Sequence, residues 1–134
     1  VPQPSSHLRA VGGEIEYVTA QVRQIADAVG LRNHTFEVTT ASLGPGIHAT
    51  CDCVPGRAYS TIRLDDGFFE LPPGDQREVL IHETLHPLLH PLMGHVVDLR
   101  SELGRAHYET VERVFRRDLE VVVDTLTTAL VRLL

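Results

Sequence analysis

The segment His82-Glu83-Thr84-Leu85-His86 constrains the folding of this chain more than any other. Two histidines four residues apart share one face only where the backbone is helical. On a helix they can offer two imidazoles to a single ion. Glu83, about a third of a turn round from His82, can then reach a water on that ion. Two neutral nitrogen ligands and a general base are what zinc-assisted hydrolysis needs. Eight histidines in 134 residues make a chance match easier, and a surface helix could carry the pattern idly. The flanking residues argue otherwise. Val79-Leu80-Ile81 is apolar and Leu85 continues the stripe, so this helix faces a core. Inward-facing imidazoles need hydrogen-bond partners or a metal.

A catalytic zinc takes three protein ligands and keeps a fourth position open. A third histidine six residues after His86 is excluded, because that position is Leu92. The remaining expectation is a glutamate on a later helix: Glu109, Glu112 or Glu120. Glu109 and Glu112 stand among Arg105, Arg113 and Arg116, where surface ion pairs account for them. Glu120 lies between Leu119 and Val121-Val122-Val123, and a carboxylate in an apolar stretch is costly unless paired or metal-bound. Glu120 is therefore preferred, with Glu112 and Glu109 still open. His90 is a further rival, since His82, His86 and His90 are spaced by fours. Asp124, one turn beyond Glu120, could accept the free ring N–H of a metal-bound histidine. Tyr108, His107 and Tyr59 are the candidates for a donor to a developing oxyanion, with packing and surface hydrogen bonding as their ordinary roles.

A length of 134 residues suits one compact domain, here residues 13–134 behind a flexible lead-in at 1–12. The formal net charge is −6 and the basic residues are scattered, which argues against a nucleic-acid surface. No apolar run reaches the length of a membrane span, and the first residues do not read as a signal peptide, so a cytoplasmic setting is expected. Cys51 and Cys53 fall on one face of a strand and lack the C-x-x-C spacing. They read as small buried residues in a reducing compartment, with a strained bridge or an auxiliary metal contact as the alternatives.

The apolar residues Ile15, Val18, Val22, Ile25, Ala26 and Val29 predict an amphipathic helix stopped by Gly30. Strands are expected at 34–40, 47–53 and 58–64, with a short extra piece at 68–71. Asp75 and Glu78 suggest a capped entry to the motif helix. Pro87 and Pro91 then predict a kink or an end just past His86. Residues 95–134 are helical in pattern, divided near Gly104. The expected fold is α+β: an N-terminal helix, a small, mostly antiparallel sheet of three or four strands, the motif helix, and C-terminal helices.

This order, with His82-Glu83-Thr84-Leu85-His86 and the later Glu120, Val123, Asp124 and Leu126, resembles the minimal gluzincin metallopeptidases. The likeness is to small proteins of phages and mobile elements and to the ImmA/IrrE-type peptidases. The resemblance implies that His82, His86 and Glu120 bind zinc, that Glu83 is the base, and that the reaction is cleavage of a peptide or protein. On that expectation the strand at 58–64 could form a sheet edge to which an extended peptide adds. The competing expectation is a metal-bearing interaction or structural domain with little or no catalytic activity.

Overall fold

The structure is a computed structural model that describes residues 13–134. The lead-in expected at 1–12 lies outside the described residues. In chain order the elements are α1 (Gly13–Ala28), β1 (Thr35–Thr40), β2 (Ala49–Cys53), β3 (Tyr59–Leu64), α2 (Asp66–Phe69), α3 (Pro73–Asp98), a 3-10 turn (Leu99–Ser101) and α4 (Arg105–Val131). This is an α+β arrangement.

Helix α1 buries Val18, Val22, Ile25 and Ala26, the face its periodicity predicts. It ends where Gly30 takes φ +91°. The amide of Leu31 donates to the carbonyl of Ala26 at 2.7 Å, closing the last turn as glycine-terminated helices do. Arg23 ties the exit loop down by donating to the carbonyls of Leu31 and His34, both at 2.6 Å.

The sheet has three strands, within the expectation, but departs from it in strand direction. Its order is β1-β3-β2, with β2 antiparallel and β1 parallel to β3. It is therefore mixed rather than mostly antiparallel. The β2–β3 hairpin inserts its returning strand between β2 and β1, which points β3 the same way as β1. Ser60, Ile62 and Leu64 of β3 are fully buried, as a central strand requires. The strand at 58–64 is thus no edge; β1 and β2 are. The apolar piece at 68–71 is not a strand either. Asp65 caps the short helix α2 there, its side chain accepting from the amide of Gly67 at 3.0 Å.

Helix α3 begins with Pro73 in its first turn, where a missing N–H costs nothing. Pro72 precedes it without a side-chain cap, so Asp75 lies inside the first turn rather than capping it. Of the expected kink or end just past His86, the end does not occur, and the helix continues to Asp98 through Pro87 and Pro91. Pro87 removes the amide that would bond to the carbonyl of Glu83. Tertiary packing holds the segment together: Leu85, Pro87, Met93 and Val96 are all buried along it. Its main neighbour is α4, which returns alongside it so that Arg100 covers the ring of Tyr108 and His82 meets Glu120. Leu80, Ile81 and Leu85 of α3 join Val18, Val22, Ile25, Ile62, Leu64, Phe68 and Val123 in one core. His82 and His86 are thereby fixed on the rim of a packed interior. Among the described residues, no helix is long and apolar enough to cross a membrane.

Candidate metal centre

Helical spacing puts His82 and His86 one turn apart on α3, and their Nε2 atoms lie 3.3 Å from each other. Helix α4 brings Glu120 across them. One carboxylate oxygen is 3.3 Å from His82 Nε2, and the other is 3.3 Å from His86 Nε2. Ligand atoms held 2.0–2.1 Å from a tetrahedral zinc stand about 3.3 Å apart. The two ring nitrogens stand at that separation, and each has a different Glu120 oxygen at the same distance. Among the described residues His82, His86 and Glu120 are the one such group of three whose ligand atoms converge, and it could hold a metal ion.

Asp124 Oδ1 lies 3.0 Å from His82 Nδ1, and a proton on that nitrogen would leave the Nε2 lone pair facing Glu120 and His86. Burial holds the His86 pKa below the usual imidazole range, so its neutral form is favoured. Replacing Asp124 by alanine should free the His82 ring and weaken zinc binding about 10–100-fold. Competition with a chromophoric chelator would measure this, and unchanged affinity would rule out the orienting role.

Glu83 is 7% exposed, and its oxygens lie 4.0 Å from His82 Nε2 and 3.8 Å from His86 Nε2. It stands beside the converging atoms without joining them. Burial, reinforced by the charges of Glu120, Asp52 and Cys53, pushes its pKa from 4.5 up to about 8. In the metal-free protein the folded state thus holds this proton more tightly than the unfolded state. Stability is highest below the unfolded pKa and falls as pH rises towards the folded one. Glu83→Gln should relieve this. Without metal, its stability advantage over the parent should grow by roughly 2–3 kcal/mol between about pH 4 and pH 7. Urea unfolding at the two pH values tests it, and parallel pH profiles for the two proteins would contradict it.

The other sequence candidates fall elsewhere. Glu109 pairs with Arg105 at 3.1 Å and Glu112 with Arg116 at 2.9 Å, as their neighbours suggest. Glu120 is chosen for a different reason from the one its sequence offers. Val121 and Val122 are exposed, and the Glu120 side chain is itself about half exposed, so only Val123 behind it is in the core. What selects Glu120 is the face of α4 turned towards α3. His90 lines the adjoining cleft but stands outside the converging group, and His95 is exposed. Tyr108 does not reach the site. It is buried beneath Arg100 and lies twelve residues before Glu120, about 18 Å along the helix. Tyr59 is engaged with Glu37.

Two clefts meet at the centre and share Ala49, His82, Glu83 and Glu120 as walls. One runs past Cys51, Cys53, His90, Met93 and Arg116. The other runs past His48, Leu71, Asp75, Glu78 and Asp124. Strand β2 forms the side of this groove, a role invisible in the sequence. The shared face of residues 49, 51 and 53 is legible there from strand periodicity; what that face looks onto is not. No family model, curated protein or solved structure matches the chain.

Proposed function

We propose that this protein is a small zinc-dependent peptidase of the gluzincin type, with His82, His86 and Glu120 as ligands and Glu83 as general base. The observation that carries this reading is the convergence of the three ligand groups at 3.3 Å spacings, with the buried carboxylate of Glu83 at 3.8–4.0 Å from the same nitrogens. A bound zinc would supply Lewis acidity, making a water acidic near neutral pH and polarising a carbonyl. Glu83 takes up the proton of the attacking water and hands it to the leaving amine. Asp124 keeps the His82 ring in place throughout.

The substrate reading shifts from β3 to β2. Among the described residues β2 is an edge strand bordering the groove, and an extended peptide pairing with it would lay its backbone across the junction of the two clefts. Main-chain pairing of this kind accepts many side chains. Two free thiols suit a reducing compartment, here the cytoplasm.

The test is zinc loading followed by incubation with unfolded casein. One zinc per chain and cleavage that a chelator abolishes and zinc restores are expected. Zinc binding with casein left whole would favour a binding module. Failure to retain zinc would remove the basis of both readings.

A further inference from the structure

Cys51 and Cys53 take no part in the proposed hydrolysis, yet both face the groove from β2. Residues two apart on a strand project to the same side, so the two thiols share one face of β2. Ser60 is directly opposite Cys53 on β3 and fully buried. Its hydroxyl is bonded to His34 Nε2 at 2.8 Å. Both cysteines line the cleft, and Cys51 also packs against the hydrophobic core. Cys53 also borders a second depression, formed with His34, Arg57 and Pro87.

The two thiols are not equivalent. Cys53 borders both depressions and is open to attack, whereas Cys51 is packed against the core. The nearby Cys51 thiol pulls the Cys53 pKa down to about 7, against the effect of burial, and burial helps push the Cys51 pKa up.

We propose that Cys51 and Cys53 form a reversible thiol–disulfide couple in the groove wall, with Cys53 attacking and Cys51 resolving, and with a low-molecular-weight disulfide as the oxidant. The Cys53 thiolate attacks one sulfur of the disulfide RSSR, forming a mixed disulfide and releasing RS⁻. Cys51 then loses its proton to water and attacks Cys53 Sγ, releasing the second RS⁻. The protein dithiol is oxidised, and RSSR is reduced to two thiols. Residues two apart on an extended strand have Cα atoms about 6.6–6.8 Å apart, at the upper limit for a disulfide. Closure must therefore contract β2 around Asp52 and disturb its pairing with Thr61. A bridge formed against that pairing is readily reduced again. The couple is independent of whether the groove hydrolyses peptides.

The experiment treats the full chain, with and without zinc, with oxidised glutathione and reads intact mass and alkylatable thiols. The parent protein should lose both thiols without retaining glutathione. Cys51→Ser should accumulate a stable glutathione adduct on Cys53, and Cys53→Ser should react about tenfold more slowly. Dithiothreitol should restore both thiols of the parent. An unreactive parent, a persistent adduct on the parent, or equal rates for the two variants would each overturn the proposal.

Discussion

Glu83→Gln protein should keep its zinc and lose peptide hydrolysis by about 10²–10⁴-fold, the contribution typical of a positioned general base. Zinc should stay because Glu83 lies outside the converging group, 3.8–4.0 Å from the ligand nitrogens. Glutamine fills the same space and removes the charge, so the buried pocket around position 83 need not rearrange. The rate should fall because glutamine cannot accept the proton of the attacking water. Metal content and casein cleavage measured on one preparation separate the two effects. Hydrolysis at the parental rate in the zinc-loaded variant would show that the base lies elsewhere and that the mechanism is wrong.

The second large effect concerns the third ligand. Glu120→Ala should weaken zinc binding by more than the ~10–100-fold expected of an outer-shell change, because it removes a direct donor. Glu112→Ala should leave zinc binding intact, since its carboxylate is engaged by Arg116 at 2.9 Å. Thermal unfolding gives an independent reading. A ligand at a hundred times its dissociation constant stabilises the folded state by about 2.7 kcal/mol. Added zinc should therefore raise the melting temperature of the parent and of Glu112→Ala, and it should raise that of Glu120→Ala little. The reverse pattern would move the ligand assignment to Glu112.

Much of the motif helix was legible because its information is local. His82, Glu83 and His86 share a face by helical geometry alone, and the apolar residues Leu80, Ile81 and Leu85 fix which side enters the core. Helix α1 was legible for the same reason, down to the glycine that ends it. Local rules misled where packing outweighed them. Pro87 and Pro91 do weaken a helix, but α3 is held by its neighbours and passes through both. Asp75 has the chemistry of a cap, yet Pro73 starts the helix earlier. The valines after Glu120 suggested burial, and two of the three face outward.

Strand order and the groove were beyond any local rule. Alternation predicts that 58–64 is a strand, but whether it lies at an edge depends on where the β2–β3 hairpin docks. That docking makes β3 central and turns the Cys51–Cys53 face of β2 towards the centre.

The sequence by itself determined the half-site on α3, because two imidazoles and a carboxylate within five residues of helix are related by a fixed rise and rotation. It also narrowed the candidates for a third ligand to Glu109, Glu112 and Glu120 on one later helix, with His90 on α3 as a rival. Only the tertiary structure brought Glu120 against the two imidazoles, and only it placed Asp124 behind His82 and β2 beside the groove. Those relations join residues some 30 or 40 positions apart, and the packing of α4 and the sheet against α3 sets them rather than any repeat within a single element.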